Sequence, residues 1–165
     1  MNNADALRRR MLSPWAMRAF MFAKLPLAWF AGLRVEQLDD TRCEVSVPRG
    51  WRTQNPFRST YFAALTMAAE LSTGAPAMIA VQAADVPISM LVTDLRGSFG
   101  KKATGRVLFR FEDVQTMNSV VQQAVEIGEG VAVEAETVGR MADGTEVARF
   151  TFTWSFKRKA TNPQT

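Results

Sequence analysis

The sequence predicts an α+β domain in which an antiparallel sheet covers one buried helix, and three observations carry that prediction. The stretch "NPFRSTYFAALTMAAEL", residues 55 to 71, passes from a polar, proline-containing approach into a run so apolar that Glu70 stands alone in it, as a helix buried on nearly every side requires. The segments around it alternate polar and apolar residues with period two, the pattern of half-buried strands. The order is helix, two strands, apolar helix, then about four strands with a minor helix inserted, which suits one sheet packed on one helix.

Each element has its own local reason. Ser13 as N-cap and Pro14 at the first helical position predict a short helix to about Leu25, with Trp15, Phe20, Met21 and Phe22 among its apolar residues. Basic residues precede this apolar run, as in a signal peptide or anchor. Arg18, Lys24, Pro14 and Pro26 interrupt it, and no stretch there approaches the roughly 20 residues of a membrane span. Packing on the domain core is the preferred reading; a membrane-surface or acyl-chain-covering role is the second. "LRVEQL" and "CEVSVP" flank the turn-like "DDTR" as a hairpin. Ser59 or Thr60 is positioned to cap the apolar helix, and Gly74 with Pro76 marks its end or a kink, with "AMIAVQA" available to resume it.

Beyond Pro87, "ISMLVTDLRGSF" and "RVLFRFED" read as strands joined by "GKKATG", and "VQTMNSVVQQAVEIG" as a more polar surface or connecting helix. The last hairpin is the clearest, with Asp143-Gly144 at its turn and Phe150, Phe152, Trp154 and Phe156 on one face of its second strand. Small alanines at 63, 64, 68 and 69 let the helix approach the sheet closely. The expected division is an N-terminal helical extension over residues 1–32, one domain over 33–158 and a disordered tail over 159–165.

Composition narrows the chemistry. The 165 residues, 47% hydrophobic and 22% charged, fit one domain able to bury a core. The chain contains no histidine, so histidine triads, Cys-His pairs and histidine-ligated zinc are excluded within it. Catalysis must rest on carboxylates, hydroxyls, backbone amides, Lys or Arg. Cys43 is the single cysteine, which rules out an internal disulfide and suggests a reducing, cytoplasmic setting. A formal charge of +4 admits an anionic partner without choosing one. The basic residues lack the aromatic interleaving of a nucleic-acid platform, so no nucleic-acid partner is expected.

Asn55 in the loop, "YFAAL" at the helix start, Glu70 nine positions after Tyr61 and the later "VTDLRGSFGKKATGRV" together resemble the hotdog-fold acyl-thioester enzymes. The resemblance is to a branch related to the phenylacetate-type thioesterases and covers roughly Leu33 to Phe156. Tyr61 and Phe62 stand where those relatives carry His-Gly. The resemblance implies a homodimer or dimer of dimers, with Glu70 as base or nucleophile and the amide of Phe62 holding the thioester carbonyl. It also implies that Asn55 orients water or carbonyl, and that the site is shared across the subunit interface. Tyr61 and Thr66 become candidates for substrate contact, although a back-bond to the helix is the simpler role for Thr66. Lys101, Lys102 and Arg106, with Arg96 nearby in sequence, suit the phosphates of coenzyme A or an acyl-carrier arm, and equally a solvated turn.

The functional expectation is a thioesterase-like protein acting on an acyl-CoA or acyl-carrier thioester. It needs no metal and no cofactor beyond the coenzyme A of its substrate, and it makes no stable membrane insertion. The alternative is a non-catalytic acyl- or lipid-binding hotdog protein, favoured by the bulky Tyr61-Phe62 pair and by the apolar N-terminal segment. Without the resemblance, the preferred reading of Glu70 is a structural acid, at the exposed end of the helix or paired with Arg58 or an arginine of the sheet.

Overall fold

The computed structural model describes residues 3–84 and 86–160. Three short helices open the chain: α1 (Asn3–Leu12), α2 (Pro14–Lys24) and α3 (Pro26–Ala31). α2 begins as the sequence requires, with the Ser13 hydroxyl oxygen accepting from the Ala16 N–H at 3.4 Å and proline in the first turn. It buries Met17 and Met21, while Trp15 and Phe22 face outward. α1 and α3 are additions to the sequence reading. α3 is punctuated by Pro26 at its start and by Gly32 at its end, where φ is 78°, a conformation glycine adopts without penalty.

The hairpin β1 (Arg34–Leu38) and β2 (Cys43–Val47) follows as expected. Its turn is closed by the Asp39 carboxylate, which accepts from the Thr41 N–H at 2.8 Å, the Thr41 hydroxyl at 2.6 Å and the Arg42 N–H at 3.0 Å. Those bonds favour the ionised form and hold its pKa well below the usual carboxylate range. Cys43 is fully buried, and desolvation pushes its thiol pKa far up, so it is an inert core group.

The central helix α4 (Phe62–Ala83) runs without interruption through both Gly74 and Pro76. The helix does not end there, and "AMIAVQA" continues it. Pro76 lies in a stretch, Leu71–Ala77, buried throughout, where packing compensates for the missing donor. Gly74 is a packing position: a Cβ there would lie 3.2 Å from both the Glu70 Oε1 and the Trp154 ring. The cap also differs from expectation. Tyr61 is the N-cap and makes no side-chain capping bond. Ser59 is engaged with Asn55, and the Thr60 hydroxyl donates to the Ala103 carbonyl.

β3 (Ile88–Phe99), β4 (Val107–Phe111), helix α5 (Val114–Ile127), β5 (Val131–Arg140) and β6 (Glu146–Arg158) complete the domain. The six strands form one antiparallel sheet in the order β1-β2-β4-β5-β6-β3. α4 lies on its inner face against β2, β4, β5 and β6, bringing Ala64, Ala68 and Ala69 into the core against Phe150, Phe152, Trp154 and Phe156. α4 is long and apolar enough to cross a bilayer, but 72% of its apolar window is buried within the domain, as befits a core helix. Two glycines permit the close approach of rings: a Cβ on Gly97 would fall 2.7 Å from Phe150, and one on Gly139 would fall 2.5 Å from Phe109. α5 is amphipathic, with Val114, Met117, Val121 and Ala124 buried at helical spacing, so the helix read as surface or connection packs a full stripe on the domain.

The helices of residues 3–31 pack on β1 and α4. Of the expected tail, Lys159 donates its N–H to the Pro87 carbonyl at 2.9 Å; residues 161–165 lie outside the described residues.

Candidate active site

Glu70 sits on α4 with its carboxylate beside Gly74, a residue that the Trp154 ring also approaches. Among the described residues the carboxylate takes no hydrogen bond and no ion pair. Burial accordingly raises its pKa above 4.5, since the charged form loses solvation with nothing to replace it. The pairing with Arg58 or with an arginine of the sheet is not found. The carboxylate borders a cavity of about 310 Å³ whose walls include Lys24, Leu25, Leu27, Met67 and Leu71. The N-terminal helices therefore supply one wall of the acid's surroundings, a role that no signal in the sequence assigned to α3.

The helix backbone around Glu70 is fixed by hydroxyls. Thr73 donates to the Glu70 carbonyl at 3.1 Å and accepts from the Trp154 indole N–H at 3.0 Å. Ser72 and Thr137 share a buried hydrogen bond of 2.8 Å between α4 and β5. These ties hold the middle of α4 to the sheet, and sequence reasoning missed them because hydroxyls inside an apolar run carry no pattern.

The N-terminus of α4 forms a second locus. The Tyr61 carbonyl accepts from Ala64 and Leu65, and the Tyr61 N–H donates to Thr53. The N–H groups of Phe62 and Ala63 have no partner among the described residues. They are orphan donors of the first helical turn, at the positive end of the helix dipole. Beside them lies a cavity of about 260 Å³ bordered by Asn55, Phe62, Phe99, Lys101 and Lys102. Four of the residues singled out from sequence therefore meet here. Lys101 and Lys102 are exposed and form no ion pair.

Asn55 orders the approach loop. Its side-chain oxygen accepts from the N–H groups of Phe57 and Ser59 at 3.0 and 3.2 Å, and its amide donates to the Ser59 hydroxyl at 3.0 Å. Arg58 takes φ 60° within that loop. Tyr61 packs edge-on to Phe62 at 4.9 Å, and Phe62 meets Phe99 at 6.3 Å. The Thr66 hydroxyl donates back to the Phe62 carbonyl at 2.9 Å.

Arg106 is elsewhere. Its guanidinium binds Glu36 and the Ser46 hydroxyl on the outer face of the sheet. Arg96 is likewise engaged, with Asp94 and Glu134. Within one chain the acid and the free amides are also apart: eight residues of helix separate Glu70 from Phe62, about 12 Å at 1.5 Å per residue.

A family profile described as a domain of unknown function, DUF4442, matches residues 13–156. The chain belongs to the DUF4442 family. A comparison of this DUF4442 chain with curated proteins finds no match. Among solved structures it is similar to a Pseudomonas aeruginosa protein described as a probable thioesterase, with a TM-score of 0.70, 20% identity, and coverage of 89% of this chain and 97% of that one. It is also similar to a Chlorobaculum tepidum protein of unknown function, with a TM-score of 0.73, 15% identity, and 90% and 99% coverage. A Haemophilus influenzae thioesterase gives 0.66, 10%, and 92% and 95%. The DUF4442 chain thus shares the hotdog fold of these structures, as its sequence motifs suggested.

Proposed function

We propose that this chain hydrolyses an acyl thioester, with Glu70 as general base and the free N–H groups at the start of α4 as the oxyanion donors. The observation that carries the reading is a carboxylate left without a partner on a buried helix, bordering an apolar cavity. Such an acid is poised to accept a proton from water. In this reaction Glu70 takes the proton as the water oxygen adds to the thioester carbonyl. The oxyanion that forms is held by the N–H groups of Phe62 and Ala63. When the carbon–sulfur bond breaks, the thiolate recovers the proton from Glu70, leaving a carboxylic acid and a free thiol. Lys101 and Lys102 suit the phosphates of a coenzyme A or carrier arm, and Asn55 shapes the loop over the donors.

The separation of acid and donors along α4 supports a homodimer whose sites each combine the Glu70 of one copy with the Phe62 amide of the other. A further support is β3, an edge strand with an unpaired side that exposes Leu91, Leu95 and Phe99, the kind of edge a second copy covers. The rival reading, a non-catalytic acyl-binding protein, draws on the Phe62 and Tyr61 rings beside the donors.

The test is a hydrolysis screen over acyl-CoA chain lengths and aryl-CoA esters, followed by subunit complementation on the best substrate. Glu70→Gln and Phe62→Pro subunits, each inactive alone, should regain about a quarter of wild-type activity when mixed, since only half the dimers are mixed and each has one intact site. No hydrolysis of any thioester favours the binding protein. Hydrolysis without complementation refutes the shared site.

A further inference from the structure

The surface formed by α2, α3 and the loop after β2 combines exposed apolar side chains with unneutralised positive charge. Residues Phe22–Leu27 are exposed without a break. Leu27 is 73% exposed and Trp51 is 79% exposed. The rings form two pairs: Phe22 meets Trp29 at 5.2 Å, and Phe30 meets Trp51 at 6.3 Å. Arg18 lies over Trp29 at 5.6 Å, and Arg52 lies over Phe30 at 5.9 Å. Lys24, Arg49 and Arg58 add exposed cations.

None of these five basic residues is in an ion pair, and residues 13–32 and 48–62 contain no aspartate or glutamate. The cations of the sheet behave differently: Arg96, Arg106, Arg110, Arg140 and Arg149 each meet a carboxylate.

We infer that this face docks on an anionic lipid bilayer. Tryptophan and phenylalanine at the headgroup level, flanked by arginine and lysine, are the chemistry of an interfacial anchor. Basic residues near an anionic surface add attraction that salt screens. A second copy of this chain is the poorer occupant. A two-fold contact through this face would set cation against cation with no acid between them. The bound depth is shallow, because α3 is six residues long and packs on α4 with Ala28 and Ala31 buried. Docking would place the bilayer beside Lys24, Leu25 and Leu27, which also border the Glu70 cavity.

Co-sedimentation of the full chain with vesicles is the test, comparing phosphatidylglycerol–phosphatidylcholine mixtures with phosphatidylcholine alone. Binding is expected only to the anionic vesicles, with a blue shift of tryptophan emission. Arg49→Glu/Arg52→Glu should weaken it at least about tenfold. Phe30→Ser/Trp51→Ser should weaken it comparably, because both rings are exposed and contribute insertion. Circular dichroism and melting temperature check that the variants remain folded. Absence of binding to either vesicle overturns the inference. So does binding that neither double variant weakens, or variants that change the oligomeric state while vesicles bind nothing.

Discussion

On the outer face of the sheet, Glu36, Glu44, Glu134, Glu136 and Glu146 each meet an arginine from another strand or a turn, whereas on α4 Glu70 meets none among the described residues. Both regions place carboxylates on secondary structure that is rigidly held. The outer face uses them as cross-strand partners, which fix register and keep the exposed side polar. α4 keeps its acid bare beside a cavity, and burial of an uncompensated charge opposes folding. The sheet pairs these acids and α4 leaves Glu70 unmatched, a cost that the proposed role in proton transfer would account for.

The largest effect that separates the regions should come from the donors that serve the α4 acid. Phe62→Pro removes one N–H at the first helical position, where proline is well tolerated, and Tyr61 already has the extended conformation that precedes proline, φ −64° and ψ 135°. Turnover should fall roughly 10²- to 10³-fold, against a Phe62→Ala control that keeps the amide. Equal rates in the two variants would remove the amide from the chemistry.

Next in size is an outer-face carboxylate. Glu44 has a side chain only 11% exposed and accepts from Arg110 Nε at 2.7 Å. Glu44→Ala should cost roughly 1–3 kcal/mol of stability by denaturant titration, with turnover unchanged. A loss of rate without a loss of stability would break the distinction between the two regions. Smallest is Arg149, whose partners Glu136 and Glu146 are 54% and 37% exposed. Arg149→Met should leave stability almost unchanged by denaturant titration, and high salt should erase any difference.

Much of this was readable in the residues. Period-two alternation together with turn and proline signals located the six strands, and the lone acid in an apolar run located Glu70. The cap of α4 was misassigned because Ser59 and Thr60 hydrogen-bond elsewhere, to Asn55 and Ala103, which local sequence does not reveal. The helix does not end at Gly74-Pro76 because tertiary packing overrode propensity: Gly74 makes room for Trp154 and Glu70. Arg106 was grouped with Lys101 and Lys102 by sequence proximity, yet strand β4 carries it to Glu36. The wall that α3 gives the Glu70 cavity depends on helix packing between distant segments, for which six residues supply no periodic signal.

The most direct measurement is Glu70→Gln, read for turnover and for melting temperature across pH. Because the folded-state pKa of Glu70 is raised above 4.5, the folded chain retains a proton that the unfolded chain releases. The wild type should therefore lose stability as pH rises from about 4.5 through the folded pKa, with the full penalty present above it. Glutamine does not titrate, so the variant should be at least as stable as wild type at neutral pH, and its advantage should shrink in acid. Turnover on the best thioester should fall roughly 10²- to 10⁴-fold. Unchanged turnover, or a variant markedly less stable than wild type at neutral pH, would contradict the assignment of Glu70 as an unpaired catalytic base.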